Sequence, residues 1–177
     1  MLVAEQKLDL SPIGMVLHVV KTAKETKGAS LEMEWELLPK ADGTPLHIHP
    51  NAQECYHVLE GQMEINVNGK WMVLKSGESF TVPEGVPHTF RNPTNEIVRV
   101  YNTHTPALMF DQYFEGLATV VNKLAAGKQE RLKMNFNAAN HLAMLMKKYK
   151  AEIVSVNPPA FIINLLNIIG KIRGLHV

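Results

Sequence analysis

The hydrophobic period of this chain changes once, at Thr105-Pro106, and that change bounds what it can fold into. Before it, apolar residues recur at every second position. Residues 30–38 place Leu31, Met33, Trp35 and Leu37 on one face and Glu32, Glu34 and Glu36 on the other, a strand with one face in the core and one in water. Residues 13–20, 54–59, 63–67, 71–74, 79–82, 88–91 and 97–103 read as further short strands between glycine- and proline-rich turns. Asn68-Gly69 is a strong hairpin signal, because both central residues of a type I′ turn need positive φ. Many short strands at close spacing predict a sandwich or barrel. After the change, Phe110, Tyr113, Phe114, Leu117, Val120, Val121 and Leu124 fall at helical steps, with Gly127 as the stop. Asn137 is placed to cap a second helix running to Tyr149. Val156-Asn157-Pro158-Pro159 then breaks the chain, and residues 161–172 form a last helix that is apolar except for a stripe of Asn164, Asn167 and Lys171. The reading is a β-barrel over residues 1–105 followed by a helical extension over 106–177, packed on the barrel or on a partner subunit.

Composition narrows the function classes. At 177 residues, 46% apolar and 20% charged, the chain has the balance of an ordinary soluble globular protein with a proper core. A formal charge of +1 argues neither for nor against any partner, but no basic run is dense enough for a nucleic-acid footprint, and Lys147-Lys148-Tyr149-Lys150 reads as a solvated helix end. The last helix is shorter than the roughly 20 apolar residues of a membrane span, so its wide apolar face needs the barrel, the other helices, a second subunit or a membrane surface to cover it. Cys55 is the only cysteine, which excludes an intrachain disulfide; by alternation it points away from Glu54, as a packing residue. Charged residues by position 9 leave no signal-peptide core, so the expected location is cytoplasmic.

The chemistry concentrates in four residues. His47 and His49, two apart on a strand, point to the same side with Cα atoms about 7 Å apart. Both rings can then reach one ion at nitrogen–metal distances of about 2.0–2.2 Å. Glu54 has the wrong parity for one continuous strand, and Pro50-Asn51-Ala52 supplies the missing bend. His88 follows the Pro83-Glu84-Gly85 turn. Three neutral imidazoles and a carboxylate suit one divalent ion of Mn, Fe, Ni, Cu or Zn and leave a position open for water or substrate. Alternation nominates Tyr56, Val58, Met63, Ile65, Phe80, Val82 and Phe90 as pocket walls, with Tyr56 as the candidate catalytic side chain, able to position a ligand or donate a proton. Arg99 and Tyr101 read as outward, and His57 by parity looks away from the metal. His18, His104, His141 and His176 have no partner spacing.

The spacing His47-x-His49-x4-Glu54-x6-Gly61, followed by Gly77-x5-Pro83-x-Gly85-x2-His88-x3-Asn92, resembles the two motifs of the cupin superfamily. The second motif matches at every specified position. The first matches from His47 onward, but three residues instead of five separate Gly43 from His47, which affects loop entry and not the ligands. The resemblance covers residues 10–105, and the short segment 62–76 between the motifs is similar to that of small single-barrel cupins. It implies a mainly β fold, the double-stranded β-helix or jelly roll, followed here by C-terminal α-helices. It also implies His47, His49, Glu54 and His88 as ligands of one divalent transition metal, a homodimer, and dioxygenase, isomerase, decarboxylase or lyase chemistry on a small organic molecule. Competing expectations are a non-catalytic cupin that binds or senses a small ligand and a metal-free storage-like cupin. A ligand-responsive transcription factor would need a DNA-reading domain that these residues do not supply.

Overall fold

The computed structural model describes residues 2–126 and 131–177. In chain order it contains β1 (Lys7–Leu10), β2 (Met15–Lys21), β3 (Leu31–Leu37), β4 (His47–Ile48), β5 (Gln53–Glu60), β6 (Gln62–Val67), β7 (Lys70–Lys75), β8 (Ser79–Val82), β9 (His88–Arg91) and β10 (Val98–Thr105). These are followed by α1 (Phe110–Ala125), α2 (Phe136–Lys148), β11 (Val154–Ser155) and α3 (Ala160–Ile172). The strands pair antiparallel into two sheets, ordered β1-β2-β3-β10-β5-β8 and β11-β4-β9-β6-β7. Facing each other, they form the jelly-roll barrel, with the helices following it in the chain.

β3 shows why the chain folds this way. Leu31, Met33, Trp35 and Leu37 are all buried, each contributing about 1.5–3 kcal/mol of transfer free energy. The alternate glutamates meet basic side chains on the outer surface: Glu32 lies 3.2 Å from Lys21, Glu36 lies 3.2 Å from His18, and Arg99 donates to Glu34. Tyr101 donates to Glu32, so Arg99 and Tyr101 do face outward. Asn68 and Gly69 have φ of 51° and 81°, as the β6–β7 hairpin requires. Gly43 has φ of 73°, and a Cβ there would lie 1.7 Å from the Phe90 carbonyl oxygen, so no other residue fits this close approach of two backbones.

Four expectations are corrected. β1 precedes the predicted first strand, and residues 11–13 form a single 3-10 turn between β1 and β2; four residues are too few for alternation to stand out. β4 is only two residues long, because Pro45 and Pro50 flank it and cannot donate to a ladder, so His49 lies just beyond the strand. Asn135, not Asn137, caps α2: its backbone is extended and its side-chain oxygen accepts from the amide of Ala138 at 3.0 Å. α3 does not bury its apolar face; it sets Asn167 and Gly170 against α2 and turns Phe161, Leu165, Ile168 and Ile172 outward. A Cβ on Gly170 would lie 2.5 Å from Met144 Sδ, so glycine permits the approach of α3 to α2. The predicted stop at Gly127 lies outside the described residues; α1 is described to Ala125, with Ala126 in the left-handed conformation.

α1 closes one mouth of the barrel. Phe110, Tyr113, Phe114, Leu117 and Val121 are buried beneath it, and Asn122 Nδ2 ties the helix to the Asp9 carbonyl of β1 at 2.9 Å. Residues 151–156 are stitched to the other side of the same mouth. Asn51 Nδ2 donates to the Ala151 carbonyl at 2.9 Å, and β11 pairs with β4 through Val154–Ile48 and Ser155–His47.

Candidate metal centre

His47, His49, Glu54 and His88 come together, their ligand atoms within 4.8 Å of one another and all four side chains buried. The two sheets divide the work. His47 on β4 pairs directly across from His88 on β9, while Glu54 on β5 pairs across from His104 on β10. The ring centroids stand 4.3 Å apart for His47–His88, 4.9 Å for His47–His49 and 5.1 Å for His49–His88.

The tautomers follow from the backbone. His47 Nδ1–H donates to the Pro45 carbonyl at 2.8 Å, His88 Nδ1–H to Val86 at 2.8 Å and His49 Nδ1–H to Glu152 at 2.6 Å. A carbonyl only accepts, so each ring keeps its proton on Nδ1 and presents an Nε2 lone pair to the centre. Glu54 Oε2 lies 3.0 Å from His49 Nε2 and 2.9 Å from His88 Nε2. Lone pairs and a carboxylate oxygen at these distances repel unless a metal ion, or an added proton on a ring, lies between them. Imidazoles oriented through Nδ1 toward backbone carbonyls are the usual support of a metal site, and the residues fit a divalent transition ion.

Glu54 is held by its other oxygen. Asn102 Nδ2 donates to Oε1 at 2.8 Å, and His104 Nε2 lies 3.5 Å from the same atom. Only Oε2 therefore faces the three imidazoles, which favours a monodentate carboxylate. Burial alone would raise the Glu54 pKa, but the imidazoles of His104, His49 and His88 outweigh it and hold the carboxyl well below its ordinary value. Burial lowers His47 well below the usual histidine range, with help from His49 and His88. In His88 the Glu54 contact overcomes burial and raises the pKa. His104 is pushed down by burial to about 3, and its Nδ1 has no hydrogen-bond partner among the described residues.

Sequence reasoning missed His104 and Asn102, although the signal was available. With Arg99 and Tyr101 outward, strand parity turns Val100, Asn102 and His104 inward. Cys55 is half-buried and His57 accepts or donates only to Ser79 Oγ, 2.7 Å away on the outer face. Tyr56 is fully buried beside Trp35 and Phe90, at centroid distances of 6.0 and 5.7 Å. Its hydroxyl has no partner among the described residues, and burial, then the Glu54 charge, raises its pKa well above 10.0. That group can release a proton only to a strong acceptor and cannot act as a base near neutrality.

The space beside the cluster is small, about 30 Å³. It has room for an ion with a water or two, since one water needs roughly 10–15 Å³. Of the predicted walls only Phe90 reaches it; the others are Leu10, Ile13, Met15, Trp35, Ile153 and, from α1, Tyr113, Phe114 and Leu117. Val58, Met63, Ile65 and Val82 are packed deeper in the barrel, and Phe80 is half-buried.

Comparison with known proteins places this geometry in a family. A family model described as "Cupin domain" matches residues 33–104, from β3 to His104. Residues 33–104 form a cupin domain. The barrel superposes on an RmlC-like cupin from Shewanella frigidimarina with a TM-score of 0.52 at 24% identity, over 60% of this chain and 88% of that one. KdgF from Halomonas sp. superposes with a TM-score of 0.50 at 20% identity, over 57% and 86%. Among curated proteins, the HTH-type transcriptional regulator PuuR of Escherichia coli is 32% identical over 99 residues, 56% of this chain and 52% of the regulator. Quercetin 2,3-dioxygenase of Bacillus subtilis is 38% identical over 52 residues, 29% of this chain and 15% of the enzyme. The chain thus spans about half the length of the regulator and far less of the dioxygenase.

Two outcomes test the supports of this cupin centre. Asn102→Leu is expected to weaken metal binding by roughly 10–100-fold with little change in fold, because it frees Glu54 Oε1 without opening a cavity. Competition with a chromophoric chelator measures it; wild-type affinity would show that Asn102 does not position the carboxylate. In chelator-treated protein, the unfolded chain takes up protons below about pH 6.5 that buried His104 refuses until about pH 3. His47, also depressed, acts in the same sense, whereas the raised pKa of His88 acts against them. Stability is therefore expected to fall by about 2 kcal/mol between pH 6.5 and 4.5, read from urea midpoints; a flat or rising profile would contradict a neutral His104.

Proposed function

We propose that this cupin binds one divalent transition metal at His47, His49, Glu54 and His88 and acts as a metal-dependent enzyme on a small organic molecule. Dioxygenase-type chemistry is the leading reaction class, with isomerase or lyase chemistry next. The observation that carries the reading is the convergence of three Nε2 atoms and one Glu54 oxygen, with every Nδ1–H already donated to a carbonyl. A bound ion would supply a Lewis-acidic position for substrate beside Phe90 and Trp35. The chain's own part is to hold Glu54 through Asn102 and to exclude water with the rings of α1. The local similarity to quercetin 2,3-dioxygenase supports the oxygenase class. A sensing role without turnover is the second reading, favoured by the longer match to PuuR and by the small space at the centre.

Metal analysis of protein purified without a nickel column, followed by an oxygen-uptake screen with aromatic and small keto compounds, tests the proposal. Iron with substrate-dependent uptake supports the oxygenase. Zinc, manganese or nickel without uptake moves the reading to an isomerase, a lyase or a sensor. Failure to take up any divalent ion would sink it. Tyr56→Phe is expected to leave turnover and metal content unchanged, because the Tyr56 ring does not reach the space beside the cluster; a fall of about 10²-fold or more would put its hydroxyl in the mechanism. We further expect a cytoplasmic homodimer formed through the barrel; the edge strand β7, with Trp71 and Val73 exposed, supports it.

A further inference from the structure

α3 turns its largest apolar side chains away from the protein. Phe161 is 70% exposed, Leu165 56%, Ile168 52% and Ile172 81%. Their steps of four, three and four align them as one ridge. The side facing α2 holds the buried Asn167 and Gly170 instead. Asn140 of α2, with its amide oriented to satisfy both neighbours, donates to the Leu166 carbonyl at 3.2 Å and accepts from Arg173 at 2.7 Å. The orientation of the helix is therefore specified by polar contacts, and the exposed ridge is not a frayed end. A contiguous apolar ridge of this kind marks an interaction surface.

The flanks of the ridge identify its partner. The groove beside the C-terminal half of α3 is lined by Lys147, Lys148, Lys171 and His176, and the one beside its N-terminal half, on the same side of the helix and sharing Lys147, by Lys150. Neither contains an acidic side chain among the described residues, and residues 153–177 include no Asp or Glu. Glu115 lines the adjoining groove next to α1, which meets the first at Lys148, His176 and Val177. A second copy pressed against this face would bring lysine side chains against lysine side chains, and the Val177 oxygen in the first groove already accepts from Lys148 Nζ at 3.2 Å. An anionic lipid surface matches both features, taking the ridge into the acyl boundary and the lysines against phosphates. No helix among the described residues is long and apolar enough to cross a membrane, so α3 would lie in the plane of the surface.

We propose that α3 docks this protein onto anionic bilayers through Phe161, Leu165, Ile168 and Ile172, flanked by Lys147, Lys150 and Lys171. The full-length, metal-loaded protein is sedimented with sucrose-loaded vesicles of phosphatidylcholine, with and without one-quarter phosphatidylglycerol. Binding is expected to the anionic vesicles and to be largely lost at about 0.5 M salt. Leu165→Ser with Ile168→Ser is expected to cut partitioning at least about tenfold, and Lys147→Ala or Lys171→Ala by about fivefold each. Circular dichroism and metal content should not change, because these side chains are solvent-exposed. Wild-type protein left in the supernatant, or equal binding to neutral vesicles, overturns the proposal. So does a dimer in light scattering that the Leu165/Ile168 variant converts to monomer, which would give the ridge to a second copy.

Discussion

His49→Ala is expected to remove stoichiometric metal binding, whereas His57→Ala leaves it intact. The two histidines lie eight residues apart in sequence but face opposite sides of the barrel wall. His49 points its Nε2 to within 3.0 Å of Glu54 and is 4% exposed; His57 meets only Ser79 on the outer face. Loss of a hydrogen bond that merely supports a ligand costs roughly 10–100-fold in metal affinity, and loss of the ligand itself should exceed that. The alanine also leaves the Glu152 carbonyl and Glu54 Oε2 without the ring that joins them. Equilibration against a competing chelator, followed by elemental analysis, gives both affinities. Equal loss in the two variants would overturn the assignment of strand faces.

Phe110→Ala is expected to produce the largest loss of stability, about 3–5 kcal/mol. The ring is fully buried at the start of α1, 4.1 Å from the His104 centroid, 5.1 Å from His49 and 6.3 Å from Phe114. It seats the helix on the barrel mouth, so its removal leaves a cavity against two imidazoles and loosens the cover of the metal centre. Urea unfolding at constant m-value measures the change. A loss below about 1 kcal/mol would mean that the site has collapsed around the gap or that α1 is held elsewhere. The same variant should admit larger ligands to the centre, which separates a packing role for Phe110 from a contribution to metal binding.

The barrel was legible because its code is local. Alternation in residues 31–37 assigns both faces of β3, Asn68-Gly69 assigns a hairpin, and the ligand spacing brings His47, His49, Glu54 and His88 into one cluster, as the structure shows. What escaped depends on contacts between distant segments. The lining of the small cavity includes Tyr113, Phe114 and Leu117 of α1 and Leu10 of β1, and no pattern in residues 56–90 announces a helix laid over the mouth. β11 exists only because residues 154–155 find the exposed edge of a two-residue strand. Asn135 and Asn137 are equivalent as caps until the backbone shows which one is extended. His104 and Asn102 could have been found by applying to β10 the parity already applied to its outward residues.

The bond from His49 to the carbonyl of Glu152 has a consequence for anyone who cuts or grafts this molecule. It joins a candidate ligand inside the stretch that the cupin domain covers to a residue nearly fifty positions beyond that stretch. A barrel excised at its apparent border would leave one imidazole free to swivel, so the tail must be inherited with the cluster.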